Sequence, residues 1–305
     1  MLKYLIINLS DDSTSFCYYN SSTNHRLINI HDLKKGFVYA MKRNLSVQLV
    51  YPSYSLPLEY ESIINQFDNI KIKPITNKVG ADVVILNQWE EIALLEGVED
   101  NVAIRSILHK VFAHSEELKR IASMNVNLIL TDIDRFSEKD IGAYKSILED
   151  LIMHCIQNNV QIRQLTDKMI LDEMNNCNAG IESITLAPNG KFYICPAFYF
   201  DDENNDIGDL KSDINIQNRQ LYDINHAPLC RKCDAYQCKR CVWLNQKLTL
   251  EVNVPSWQQC VVSHIERNAS RIMLMKIRKY NPNYLDNKEI SEINYLDPFE
   301  IIAKK

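Results

Sequence analysis

The stretch Cys230-Arg-Lys-Cys233-Asp-Ala-Tyr-Gln-Cys238-Lys-Arg-Cys241 carries four thiols in the spacing C-x2-C-x4-C-x2-C. Three more cysteines flank it, Cys177 and Cys195 on the N-terminal side and Cys260 on the C-terminal side. Thiolates are soft ligands, and seven of them so close in sequence suit iron–sulfur clusters or zinc far better than packing. Residues 230–241, which we call the four-cysteine segment, therefore predict a metal centre in the C-terminal half of the protein.

The composition is that of an acidic globular protein. The 305 residues carry a net charge of −5, with 46% hydrophobic and 24% charged side chains. An acidic protein does not attract nucleic acid or an anionic membrane, so we expect neither as a partner. The apolar run at residues 1–9 is too short for a signal peptide, and no apolar stretch approaches the roughly 20 residues that span a bilayer. We therefore expect a cytoplasmic protein, in which clustered cysteines indicate metal or redox chemistry before disulfides.

Glycine is scarce, with seven residues in the whole chain. Neither the G-x-G-x-x-G pattern nor the G-x4-G-K-[ST] pattern occurs. Because these motifs use glycine backbone to hold phosphate groups, the sequence disfavours a kinase, a nucleoside triphosphatase and a dinucleotide-binding enzyme.

The first 165 residues alternate apolar runs with stretches of helical periodicity. Predicted strands fall at residues 4–9, 46–51, 70–75, 83–86 and 126–130, and predicted helices at 33–42, 58–67, 102–122 and 140–157. Ser137, with Asp140 three residues on, fits a capping box for the last of these helices. Short strands separated by helices predict an α/β domain of βα repeats, with either a partial barrel or an open parallel sheet.

The pattern changes after residue 165. Two β-rich runs, 183–186 and 191–194, flank the turn Ala187-Pro188-Asn189-Gly190, which predicts a hairpin that returns Cys195 towards Cys177. We therefore predict a βα-repeat domain at residues 1–165, a small cysteine-rich domain at 166–280 and a C-terminal tail at 281–305.

Three interpretations of the cysteines compete. A structural zinc ion could take Cys230, Cys233, Cys238 and Cys241 as a tetrahedral set, although the four-residue gap between the pairs is short for a zinc ribbon. Buried structural thiols are a weaker alternative, because paired C-x2-C spacing rarely arises from packing. Two iron–sulfur clusters are favoured, since each takes about four thiolates and seven cysteines nearly fill two.

The order C-x12-G-x4-C, a four-cysteine segment and a lone cysteine resembles the SPASM domain of radical-SAM peptide-maturing enzymes. The segment here is one residue tighter in each of its last two intervals than the family pattern. The resemblance implies two [4Fe–4S] clusters. One would be held by Cys230, Cys233, Cys238 and Cys260, and the other by Cys177, Cys195 and Cys241 with one iron open to a non-cysteine ligand.

The N-terminal half departs from that family. Radical-SAM barrels carry C-x3-C-x2-C after the first strand, whereas the corresponding loop here contains a single cysteine, Cys17. One thiolate cannot hold a [4Fe–4S] cluster, so we do not expect this chain to cleave S-adenosylmethionine by itself. Cys17 is interpreted as a small buried hydrophobe, with a redox-active thiol as the alternative.

The whole layout resembles the short maturases encoded with CXXX-repeat peptides. The resemblance rests on the opening Lys-Tyr-Leu-Ile-Ile run, on Phe-Cys17-Tyr-Tyr and on Cys233-Asp-Ala-Tyr-Gln-Cys238 through Ile-Glu-Arg-Asn-Ala-Ser-Arg271. It implies a component of a peptide-maturation system that binds a cysteine-rich precursor and relays electrons beside a radical-SAM partner. The alternative is a non-catalytic scaffold that binds precursor and whose zinc or iron–sulfur sites are structural.

Other polar residues have alternative roles. Asp132 and Asp134 follow a predicted strand and could bind a metal, although turn and cap duty is favoured. His226 and His264 lie near the cysteines and could complete the open iron, although solvent-facing or hydrogen-bonding roles are favoured.

Basic and aromatic residues also surround the cysteines in sequence. Lys239, Arg240, Arg267 and Arg271 are predicted to form a solvated basic zone, with attraction of an acidic peptide as the alternative. Trp243 and Trp257 flank the last cysteines and are predicted to shield the metal centre from water.

Overall fold

The computed structural model describes residues 1–98, 101–171 and 173–284 of the chain. The chain forms two compact units, each built from two separate stretches of sequence. Unit 1 contains residues 1–105 and 178–223, and unit 2 contains residues 106–177 together with the chain from residue 224 onward. Residue 165, the predicted domain boundary, lies inside the first stretch of unit 2. Most of the predicted tail, residues 285–305, lies outside the described residues.

Ten strands and nine α-helices occur within the described ranges. The strands are β1 (Tyr4–Asn8), β2 (Ser46–Val50), β3 (Asn69–Pro74), β4 (Val83–Leu86), β5 (Val102–Ser106), β6 (Val126–Leu130), β7 (Ser183–Leu186), β8 (Lys191–Tyr193), β9 (Gly208–Asp209) and β10 (Asp213–Ile214). The helices are α1 (Ile30–Arg43), α2 (Leu58–Ile64), α3 (Leu108–Ala113), α4 (Ser115–Ile121), α5 (Glu138–Asn158), α6 (Arg163–Ile170), α7 (Pro196–Asp201), α8 (Val242–Thr249) and α9 (Trp257–Tyr280).

Unit 1 is built on a mostly parallel sheet, as the βα pattern predicts. Its strands lie in the order β10-β9-β8-β7-β1-β2-β3-β4-β5. The pairs from β7 through β1 to β5 are parallel, and β8, β9 and β10 extend the β7 edge in antiparallel fashion. β1 is central because it pairs with β2 on one side and with β7 on the other, Tyr4 lying opposite both Ser46 and Ser183.

One face of this sheet is closed by helices α1 and α2. Leu5, Ile7 and Leu9 of the central strand region are fully buried in a cluster with Leu33 and Phe37. Within β1 the residues Leu5, Ile6 and Ile7 form a continuous apolar run, which is typical of a parallel strand that is covered on both faces. The α1 helix begins at a cap in which the Asn29 side chain accepts a hydrogen bond from the backbone N–H of His31.

The longest predicted helix, residues 102–122, is wrong at its beginning. Val102–Ser106 forms β5, which pairs in parallel with β4, Val84 lying opposite Val102. Residues 108–121 then form the two short helices α3 and α4. Apolar residues in a short run satisfy the helical and the extended pattern equally, and the free edge of β4 decided in favour of a strand.

Unit 2 is mainly helical, with β6 and the four-cysteine segment among its non-helical parts. The long helices α5 and α9 pack against each other, and α6 also packs against α9. The capping box of α5 is confirmed, because the Ser137 hydroxyl and the Asp140 carboxylate each bind the other's backbone N–H. No described helix is both long and apolar enough to cross a membrane.

The predicted hairpin is confirmed in unit 1. β7 and β8 are antiparallel, with Leu186 opposite Phe192, and the N–H of Gly190 donates to the carbonyl of Ala187. Gly190 adopts φ of 78°, a left-handed conformation that glycine reaches without steric cost. Cys195 lies two residues after the end of β8, so the hairpin turn sets the position of this cysteine.

Replacing Gly190 with alanine should lower the free energy of unfolding by about 1–2 kcal/mol, the cost of a left-handed backbone for an L-residue. The new Cβ would also lie 3.0 Å from Asp32 Oδ2. Gly142→Ala is the matched control, because Gly142 lies within α5 and its Cβ would meet nothing within 4 Å. Urea denaturation should show the control to be stabilised by about 0.5–1 kcal/mol. A stabilised Gly190→Ala protein would contradict the assigned turn.

Candidate metal centre

The seven cysteines of the predicted metal centre divide between the units. Cys195 lies in unit 1, at the N-cap position of α7. The other six lie in unit 2, with Cys177 exposed, Cys230 and Cys241 buried and the remainder half-buried.

The four-cysteine segment consists of consecutive tight turns. The N–H of Cys233 donates to the carbonyl of Cys230 at 3.0 Å, and the N–H of Cys238 donates to that of Ala235 at 2.9 Å. Arg240 takes φ of 43°, which reverses the chain before Cys241 becomes the N-cap of α8. The first C-x2-C spacing thus closes as a single 3-10 turn at Cys230–Lys232.

Backbone N–H groups of the segment point at sulfur. Ala235 N lies 3.4 Å from Cys233 Sγ, Arg240 N lies 3.4 Å from Cys238 Sγ, and Leu244 N lies 3.5 Å from Cys241 Sγ. Hydrogen bonds to sulfur stabilise the thiolate form, and around metal-bound sulfur they tune the redox potential. This arrangement is the one expected of cysteines that act as ligands.

The protonation of the thiols reflects their burial in the metal-free chain. Burial is the main reason that the pKa of Cys230 is raised to about 12; the neighbouring Cys238 and Cys233 thiols contribute to this rise, and Arg240 opposes it. Burial likewise raises the pKa of Cys233 to about 11. Three of the predicted ligands therefore lie close enough together to influence one another. A bound metal would reverse these shifts, because it binds the thiolate.

The chemistry of the donor set suits a soft metal centre, because thiolates bind zinc as well as iron–sulfur clusters. Across the residues that the structure describes, no three Cys, His, Asp or Glu side chains are arranged to hold one metal ion. The residues that would hold the first predicted cluster are Cys230, Cys233 and Cys238, with Cys260 in the first turn of α9.

The remaining predicted ligands lie at two different places. The backbone N–H of Cys177 donates to the carbonyl of Lys239 at 3.5 Å, which sets this cysteine beside the four-cysteine segment. In unit 1, Cys195 raises the pKa of the half-buried Tyr222, after the larger effect of burial, and so lies near that phenol. Each unit by itself therefore holds part of the predicted second ligand set.

The two histidines differ. His264 is buried on α9, and its Nε2 lies 3.5 Å from Cys233 Sγ, within hydrogen-bonding distance of that thiol. His226 is exposed, and its backbone carbonyl accepts a hydrogen bond from Asn253 Nδ2. Asp132 accepts hydrogen bonds from the backbone N–H of Leu108 at the start of α3, so its carboxylate is engaged with the main chain.

The predicted solvated basic zone is wrong for two of its members. Arg267 and Arg240 are fully buried, and Arg267 Nη1 binds Asp234 Oδ1 at 2.9 Å. Arg271 Nη2 binds the other oxygen of Asp234 at 2.7 Å. Because Asp234 directly follows Cys233, these arginines of α9 hold the four-cysteine segment in place. Trp243 is buried, whereas Trp257 is half exposed.

Sequence reasoning missed a polar cluster behind the segment. Gln237 Nε2 donates to the carbonyl of Ser263 at 2.7 Å and to Glu266 Oε2 at 3.3 Å, and Tyr144 donates to Glu266 Oε1 at 2.7 Å. Burial raises the pKa of Glu266 to about 7, although the hydrogen bonds from Tyr144 and Gln237 oppose the shift. The spacing of Ser263 and Glu266, three residues apart on α9, was the available signal.

The loop after β1 in unit 1 does not fit the cluster that cleaves S-adenosylmethionine. Its single thiol is that of Cys17, and such a cluster needs three. The side chain of Arg105 organises this loop instead, because Nε donates to the carbonyl of Cys17 at 2.8 Å and Nη2 to that of Tyr19 at 2.6 Å. The loop is therefore held by a guanidinium group.

The fold places the chain among α/β proteins with a mostly parallel sheet and helical packing around it. Among solved structures it is similar to native anSMEcpe with bound AdoMet and Cp18Cys peptide, with a TM-score of 0.61 and 13% sequence identity. The match covers 92% of this chain and 99% of that chain. At this identity the likeness concerns the fold. No family model matches the chain, and no curated protein matches it.

Proposed function

We propose that this chain is a maturation protein for a ribosomally made, cysteine-rich (CXXX-repeat) peptide, acting in the cytoplasm beside a radical-SAM enzyme. The observation that carries the proposal is the four-cysteine segment, in which backbone N–H groups point at three sulfurs and a buried ion pair holds the turns. Support for a peptide substrate comes from the fold, since the similar structure holds AdoMet and a peptide.

Two [4Fe–4S] clusters are the cofactors of this proposal. Cys230, Cys233, Cys238 and Cys260 would hold one of them, and Cys177, Cys195 and Cys241 the other. When bound, the clusters supply one-electron transfer, and the second would leave one iron open to a thiolate of the precursor.

The chain's own side chains prepare that site. Asp234 and Arg267 tie the loop between Cys233 and Cys238 to α9 through a buried ion pair. Buried Trp243 and Val242 lie directly after Cys241 and limit the access of water to it. Limited solvent access and N–H···S contacts are the means by which a protein tunes such a centre.

Anaerobic reconstitution with iron and sulfide should yield about eight irons per chain, since each of the two proposed [4Fe–4S] clusters contains four irons. Visible charge-transfer absorption should accompany the iron, and both should persist in Cys17→Ala, which removes a cysteine outside the predicted set. Stoichiometric zinc without that absorption would contradict the proposal and favour a structural zinc protein.

A scaffold that presents precursor without taking part in chemistry is a second candidate, and the single thiol of the loop after β1 favours it. The two candidates differ in what Cys177 does. In the reconstituted system with precursor and radical-SAM partner, Cys177→Ala should keep folding and peptide binding but lose modification. Retained modification would favour the scaffold.

A further inference from the structure

Unit 1 contains a polar cavity that the proposed function does not use. It has a volume of about 280 Å³ and lies where the carboxyl ends of the parallel strands meet. Thr14, Ser15, Asn87 and Arg105 are among its lining residues. Loops at the carboxyl ends of parallel strands are the usual place for ligands in α/β proteins.

Arg105 brings a positive charge to this cavity without a carboxylate to balance it. Its four hydrogen bonds go to the carbonyls of Cys17 and Tyr19 and to the amide oxygens of Asn20 and Asn87, all of them neutral. No ion pair of Arg105 occurs within the described ranges. A guanidinium has five N–H donors, so one remains beyond these four bonds.

The pKa of Arg105 shows that burial disfavours its charged form. Burial lowers the pKa of Arg105 from its ordinary value, and the ionisable groups that counteract the shift are the Tyr19 phenol and the Cys17 thiol. Neither is a carboxylate. A partly buried cation that lacks an acidic partner is stabilised by an anion from outside.

Two hydroxyls complete a donor-rich wall. Thr14 Oγ1 accepts a hydrogen bond from Asn87 Nδ2 at 3.3 Å, and Ser15 Oγ accepts one from the backbone N–H of Ser21 at 2.8 Å. Both side chains are buried. Because each oxygen already accepts an N–H, each hydroxyl has its own hydrogen to donate.

The acidic residue of the cavity wall is already engaged. Asp12 Oδ1 accepts a hydrogen bond from the Ser10 hydroxyl at 2.5 Å, and Oδ2 lies 2.6 Å from His25 Nδ1. Both carboxylate oxygens of Asp12 are therefore bound to Ser10 and His25, and neither forms an ion pair with Arg105.

We propose that this cavity binds an anionic group, a carboxylate or a phosphate, with Arg105, Thr14 and Ser15 as its donors. Charge-assisted hydrogen bonds from guanidinium and hydroxyl groups are the strong ones in proteins, and arginine is the side chain that suits both anions. The inference does not depend on the iron–sulfur centre, so either can fail without the other.

Isothermal titration of the full chain tests the proposal with three probes: inorganic phosphate, N-acetylglycine and N-acetylglycinamide. We expect saturable binding of one ion per chain for phosphate, for N-acetylglycine or for both, and none for the amide. Phosphate alone would identify a phosphate group as the ligand, and N-acetylglycine alone would identify a carboxylate.

Substitutions assign that binding to the cavity. Thr14→Val and Ser15→Ala leave Arg105 and the loop that it holds in place, and each should weaken binding about tenfold. Arg105→Met should abolish binding, with circular dichroism to confirm that the variant is folded. Lys42→Met is the matched control, because Lys42 is an exposed cation outside the cavity and its loss removes the same charge.

Two results would overturn the proposal. The first is no saturable heat from either anion at millimolar concentration. The second is equal binding in Thr14→Val, Ser15→Ala and the parent protein.

Discussion

Replacing Asp234 with alanine should lower the free energy of unfolding by about 3–5 kcal/mol, the range for removing one partner of a buried ion pair. Asp234 is 2% exposed and Arg267 is 0% exposed. The substitution therefore leaves the guanidinium of Arg267 in the interior without its carboxylate, and Arg271 loses the same partner. Urea denaturation of the metal-free protein, followed by tryptophan fluorescence, measures the loss.

Two further variants of the chain serve as controls for that experiment. Asp68→Ala removes an exposed carboxylate, and its effect should stay within about 0.5 kcal/mol. The double variant Asp234→Leu with Arg267→Met removes both charges and should be more stable than Asp234→Ala, because no buried charge is left alone. If Asp234→Ala proved as mild as Asp68→Ala, the ion pair would not be what holds the four-cysteine segment.

The second large effect concerns iron content. Cys230→Ser and Cys177→Ser should each remove about four irons per chain after anaerobic reconstitution, half of the expected total, because each cysteine belongs to a different predicted ligand set. The double variant should retain almost none. Iron and acid-labile sulfide assays give the count, and far-UV circular dichroism shows whether each variant keeps its helices.

Cys155→Ala is the matched control for this series. Cys155 is buried within α5, and burial raises the pKa of its thiol to about 12, as for an unreactive structural cysteine. Its removal should leave the iron content unchanged. A folded Cys230→Ser protein with all of its iron lost, or with all of it kept, would contradict two separate centres.

The sequence predicted strands and helices of both units well where the segment has one clear period. β2, β4 and β6 fall within one residue of their predicted ranges, and the capping residues Ser137 and Asp140 mark the start of α5. The error at residues 102–106 arose because a short apolar run does not distinguish a helix from a buried strand. Only pairing with β4 resolved that ambiguity.

The surroundings of the cysteines were less accessible to sequence reasoning. Arg267 and Arg271 read as surface residues because arginine is rarely buried without a partner. Their partner, Asp234, lies more than thirty residues away in the chain, and only the packing of α9 against the four-cysteine segment brings them together. Arg105 and the loop at Cys17 are likewise joined across more than eighty residues.

The amino-acid sequence by itself determined the α/β class, the hairpin before Cys195 and the thiol spacing, because these depend on local periodicity, on turn residues and on the chemistry of sulfur. The tertiary structure decided which charges are buried, which thiols lie close together and where a cation meets the cavity of unit 1. Those properties depend on contacts between residues distant in sequence, whose energies no local pattern records.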